Sequence, residues 1–103
     1  MIVYKLKLLP VVYQDLIKAR KWYLEINKSL GEDFKLKVNE EFDYIRKYPA
    51  HYQKRYKEIR QAIVDRFPYT IYYFIEEELK LIVVIGVLAQ KQNFDRIKKR
   101  LEK

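Results

Sequence analysis

The segment from Leu81 to Leu88 constrains the fold more than any other part of the chain. It is an almost unbroken apolar, β-branched run, which suits a central strand covered on both faces. Two further strand patterns precede it. Ile71–Ile75 is β-branched and aromatic, with an acidic turn at Glu76–Glu78 leading out of it. Ile59–Phe67 alternates, with Ile59, Gln61, Ile63, Asp65 and Phe67 on one face and Arg60, Ala62, Val64 and Arg66 on the other. Pro68 marks the turn between these two, and the three segments read as an antiparallel meander.

A strand apolar on both sides needs cover, and the first half of the chain supplies it. Ile2–Leu8 reads as a half-buried strand near a sheet edge, with Tyr4, Leu6 and Leu8 on one face and Val3, Lys5 and Lys7 on the other. Pro10 suits the first turn of a helix. Val12, Leu16, Ala19, Tyr23, Ile26 and Leu30 then make one helical stripe, with Trp22 beside it. Ser29-Leu30-Gly31-Glu32 has the spacing of a capping box and predicts the start of a second helix. The buried face of that helix takes Phe34, Val38, Phe42, Ile45 and Tyr48, and Pro49 ends it. Ala50–Glu58 reads as a loop. After the last strand, Asn93 is a candidate cap for a short helix with Asp95 in its first turn. Phe94, Ile97 and Leu101 form its apolar side, while Lys98, Lys99, Arg100 and Lys103 are expected to point outward.

The predicted order is β-α-α-β-β-β plus a short C-terminal helix. It implies a two-layer α+β domain, a helical hairpin packed on one face of a mostly antiparallel four-stranded sheet. Leu16, Tyr23, Phe42 and Ile45 are expected to meet Ile71, Tyr73, Val83 and Ile85 in one core. The segment after Gln90 is expected to add little to it.

At 103 residues the chain is expected to form one domain spanning residues 1–103. It has no cysteine, which removes a disulfide framework, a thiolate zinc site and a cysteine nucleophile together. No apolar run approaches the roughly 20 residues needed to cross a bilayer, and nothing near Met1 looks like a signal peptide, so a cytoplasmic protein is expected. The net charge of +8 implies attraction to a negative partner: nucleic acid, an acidic protein segment or a membrane surface. His51 is the one histidine and cannot build a catalytic triad or a metal site by itself. With only Gly31 and Gly86, no glycine-rich phosphate loop exists. Tyr69, Tyr72, Tyr73 and Phe74 offer a stacking platform for single-stranded nucleic acid, but strand spacing accounts for most of them as core residues.

Three segments, I-R-Q-A-I-V (Ile59–Val64), T-I-Y-Y-F-I (Thr70–Ile75) and V-I-G-V-L-A-Q-K-Q-N (Val84–Asn93), occur in an order that resembles the RelE/ParE superfamily of toxins, and the likeness covers nearly the whole chain. It implies a toxin of a type II toxin–antitoxin system, neutralised by a cognate antitoxin through an acidic, apolar C-terminal segment. In the RelE branch, which cuts messenger RNA on the ribosome, cations and a C-terminal Tyr or His serve phosphate chemistry. Here those places fall near Gln61, Ile63, Thr70 and Gln90, with Gly86 and Ala89 where related toxins carry Arg and His. No Tyr or His follows Tyr73. The chain therefore resembles the ParE branch, whose members inhibit DNA gyrase by binding. The resemblance implies no catalytic residue, metal or cofactor. Arg60, Arg66, Tyr73, Gln90, Lys91, Arg96, Lys98, Lys99 and Arg100 are the implied antitoxin- or target-binding residues. A ribosome-dependent ribonuclease using Arg60, Arg66, Lys91 and the terminal lysines is the alternative, and a non-toxic basic interaction domain is the third.

Overall fold

A computed structural model of the chain describes residues 2–102. Its elements run β1 (Lys5–Leu8), α1 (Pro10–Ile26), α2 (Lys28–Lys47), β2 (Lys54–Tyr56), β3 (Ile59–Ile63), β4 (Tyr69–Glu76), a single 3-10 turn (Glu77–Leu79), β5 (Leu81–Ala89) and α3 (Asp95–Leu101). The sheet order is β1-β5-β4-β3-β2. β1 pairs with β5 in parallel and every other pair is antiparallel. β5 is the interior strand that the sequence predicts, its residues Ile82–Leu88 buried throughout. The two-layer α+β architecture stands, with five strands rather than four. The extra strand, β2, comes from the polar segment read as a loop. Lys54-Arg55-Tyr56 carries no apolar alternation, because a short polar edge strand is held by its backbone alone.

The helical hairpin turns on one residue. Asn27 has extended backbone, and its side-chain oxygen accepts hydrogen bonds from the amides of Ser29 and Leu30 at 2.8 and 3.3 Å. Asn27 is thus the cap, and the Ser29–Glu32 box does not form. Glu32 reaches across to Arg20 on α1 instead. A side chain at Gly31 would collide with that of Leu24, so glycine there lets the helices close tightly at the elbow. Both packed stripes fray at their ends. Ile26 and Tyr48 are exposed, not buried as expected.

Under the hairpin, Val12, Ala19, Phe34, Val38, Phe42 and Ile45 pack on Ala62, Ile71, Tyr73, Ile82, Val84 and Val87. Leu16 and Tyr23 sit at the margin of this core. Val83 and Ile85 do not belong to it: they lie on the opposite face with Ile59, Tyr72, Leu88 and Ile97. The reason is local. The β4–β5 register slips between Tyr72 and Tyr73, which pair with Gly86 and Val84, leaving Ile85 as the extra residue of a bulge. Alternation cannot reveal the phase of a strand that is apolar on both sides.

β3 ends at Ile63, so Arg66 does not share a strand face with Arg60. It sits in the following turn with positive φ (71°), exposed, its guanidinium 3.6 Å from Asp33 of α2.

Candidate functional site

Hydrogen bonds to the β3–β4 turn and within its own exit hold the end of β5. The Gln90 amide donates to the Pro68 carbonyl, and Gln92 accepts from the Ala89 amide through its side chain. The Asn93 side chain accepts from the Asp95 amide, which orients the first turn of α3. α3 then lays Ile97, fully buried, onto Gly86, where any β-carbon would strike the Ile97 side chain.

Arg100 is not outward, as the basic pattern of the tail suggests. Its guanidinium grips Asp15 of α1 in a two-pronged pair, Nη1 to Oδ2 at 2.7 Å and Nη2 to Oδ1 at 2.8 Å. Nη1 also donates to the Ile85 carbonyl at 2.9 Å, and the Asp15 carboxylate accepts from the Val87 amide at 3.0 Å. One carboxylate and one guanidinium therefore satisfy the backbone groups that the β5 bulge leaves without ladder partners. Lys98 is also turned inward, its ammonium 4.7 Å from the centre of the Tyr56 ring. Lys99, Lys91, Gln90 and Arg96 are exposed, and Lys103, grouped with them in the sequence, lies outside the described residues.

Tyr73 and Arg60 form a second constellation, on the hairpin side. The Tyr73 side chain is fully buried and its hydroxyl donates to the Pro49 carbonyl at 2.7 Å. Burial pushes that hydroxyl up to about 12, Arg60 pulling against the rise and Glu41 adding to it. Arg60 lies opposite Tyr73 in the register and donates to the Tyr52 carbonyl at 2.6 Å. The Tyr52 hydroxyl in turn donates to Glu41 at 2.6 Å, and burial, followed by this contact, raises it too. Both residues thus tie the Pro49–Gln53 loop to the sheet. His51 stands exposed, edge-on to Tyr44 and Tyr52.

Two open grooves flank α1. The first, about 460 Å³, runs between α1 and α2 over Leu16, Ile17, Leu24, Phe34 and Val38, with Lys21 and Lys35 at its rim. The second, about 600 Å³, lies between α1 and the end of the sheet. It gathers Lys91, Arg96 and Arg100 of the expected residues and adds Lys18 and the exposed Trp22. Arg60, Arg66, Tyr73, Gln90, Lys98 and Lys99 belong to neither groove. Lys18, Lys21, Trp22 and Lys35 escape a sequence reading that looks for chemistry on strands and tail. The one available signal is that Trp22 falls outside the helical stripe.

Among the described residues no three His, Asp or Glu side chains are grouped to hold a metal ion, and no helix is long and apolar enough to cross a membrane.

No curated protein matches the sequence. Residues 6–94 match the family model described as the ParE toxin of type II toxin–antitoxin systems, parDE, a span from within β1 to the residue before α3. Both helices of the hairpin, the meander and the exit from β5 are thereby covered, and the chain belongs to the ParE toxin family.

Proposed function

We propose that this chain is a toxin that inhibits DNA gyrase by binding it, and that an acidic, apolar segment of the cognate antitoxin neutralises it by filling the groove between α1 and α2. The observation that carries the antitoxin part is the character of that groove: an aliphatic and aromatic floor with the exposed cations Lys21 and Lys35 beside it. Such a surface takes an amphipathic segment whose apolar side chains anchor it and whose carboxylates speed its approach. A second copy of a chain carrying +8 would bring like charges to the same rim, so an acidic partner fits better.

Action by binding is supported by what the two residues nearest to chemistry do. Tyr73 is buried with its proton committed to Pro49, and Arg60 is occupied by the loop carbonyls. The Tyr73 hydroxyl is thereby withdrawn from a reacting phosphate, and the loop holds the Arg60 guanidinium through one of its nitrogens.

The test is a pair of assays on the purified protein. Supercoiling by gyrase should be inhibited, and the inhibition relieved by antitoxin. Ribosome-programmed messenger RNA should remain uncut. Site-specific cleavage lost in Arg60→Ala would replace this reading with the ribonuclease one. Antitoxin affinity should fall with salt, since rim charges are screened within about 10 Å at 0.1 M ionic strength.

A further inference from the structure

The second groove asks for the same kind of occupant by separate observations. Its one carboxylate, Asp15, is consumed by Arg100 and the Val87 amide. That leaves the charge of the groove to Lys18, Lys91 and Arg96, all exposed and none paired with a carboxylate among the described residues. Between these cations lie Val11, Leu88 and Trp22, the last 63 % exposed. An aliphatic floor with an indole wall accepts a large apolar side chain, and the surrounding cations accept its acidic neighbours.

The two grooves are separated only by α1. Ile17 and Lys21 line the first while Lys18 and Trp22, each the next residue along, line the second. A helix with its side chains is about 10 Å across. At roughly 3.3 Å per extended residue, three or four residues suffice to step over it.

We propose that the cleft between α1 and the end of β5 is a second anchoring site for an acidic peptide, and that one antitoxin segment crosses α1 to fill both grooves, setting an apolar side chain against Trp22 and carboxylates on Lys18, Lys91 and Arg96. This rests on the antitoxin reading of the first groove. The segment then bridges α1 and the exit of β5, and covers the exposed base of α3. Single-stranded nucleic acid is the less suitable ligand: Lys18, Lys91 and Arg96 would serve phosphates as well as carboxylates, but the aliphatic floor offers successive bases no stacking surface beyond the one exposed indole.

Trp22 is the only tryptophan, so its fluorescence reports this cleft and no other place. The probes are the cognate antitoxin, a synthetic Glu/Leu peptide and a mixed-sequence single-stranded RNA. Antitoxin and peptide should each shift Trp22 emission to the blue and reduce its quenching by acrylamide. Lys91→Glu with Arg96→Glu, both exposed and remote from the core, should weaken antitoxin binding about tenfold, equivalent to roughly 1.4 kcal/mol. Far-UV circular dichroism checks that this double variant is folded. Lys21→Glu with Lys35→Glu tests the first groove independently. If that pair weakens binding while Trp22 stays silent and the Lys91/Arg96 pair has no effect, the second site is overturned and the first stands. If neither pair matters and Trp22 stays silent, both are overturned. Shielding of Trp22 by RNA and not by the peptide also overturns the proposal.

Discussion

The two faces of the sheet are closed by opposite means. On one, the hairpin of α1 and α2 spreads a broad apolar surface, and Phe34, Val38, Phe42 and Ile45 disappear into it. On the other, the seven-residue helix α3 sets one buried side chain, Ile97, over Ile85 and Leu88, and the ion pair of Arg100 with Asp15 fastens it. The first closure is distributed over many apolar contacts. The second is concentrated in a few atoms whose desolvation is offset only while both partners are present. The family match stops at Phe94, before this helix begins. Distributed burial holds the body that the match spans, and a point attachment holds the helix that follows it.

Two substitutions probe that contrast directly. Phe42→Ala should cost about 3–5 kcal/mol, the range for a buried aromatic, and should lower the stability of the whole domain at once. Thermal unfolding followed by near- and far-UV circular dichroism should give coincident, shifted transitions. Asp15→Asn removes the charge but little volume. It leaves the Arg100 guanidinium without its counter-ion, with side-chain exposures of 13 % and 8 % for the pair. Breaking such a pair should cost about 2–3 kcal/mol, below the usual figure for deeply buried pairs because some solvent reaches Arg100. Its main effect should be local: amide hydrogen exchange in α3 should accelerate well before exchange in β5 does. An equal loss of protection in α3 and under the hairpin would mean that the two closures form one cooperative unit.

The same contrast governs what could be read in advance. Hairpin and meander were legible because their apolar residues recur at helical and strand periods against a polar background, as Phe34, Val38 and Phe42 do. The phase of β5 was not, because Val83 and Val84 are equally apolar and a bulge decides between them. β2 was invisible because its pairing lies in the backbone. The cap at Asn27 was hidden by a better-looking signature two residues later, whose glutamate the neighbouring helix claims. The grooves were hardest. Lys91 and Arg96 stood out in a basic tail, but Lys18 and Trp22 become their neighbours only when α1 is laid against the end of the sheet. Arg100 looked like one more solvated cation because its partner is far away in sequence.

The smallest expected effect sharpens the comparison on the hairpin side, where one polar contact sits inside the distributed core. The Tyr73 hydroxyl is held at about 12 by burial, against the ordinary value of 10.0. Between these values the unfolded chain releases the proton and the folded chain keeps it, so the unfolded state binds fewer protons and stability falls as pH rises. The contribution is complete below pH 10 and is lost through the window up to about pH 12. Tyr73→Phe deletes the hydroxyl and leaves the Pro49 carbonyl without its donor, which should cost about 1–2 kcal/mol near neutral pH. It should also flatten part of the alkaline fall, leaving the share that comes from Tyr52, whose hydroxyl is raised in the same network. Urea unfolding of both proteins at pH 7, 9 and ~11 measures both effects. An unchanged alkaline slope in the variant would show that the Tyr73 hydroxyl releases its proton over the same pH range in the folded and unfolded chains, and would assign the pH sensitivity of this face to other tyrosines.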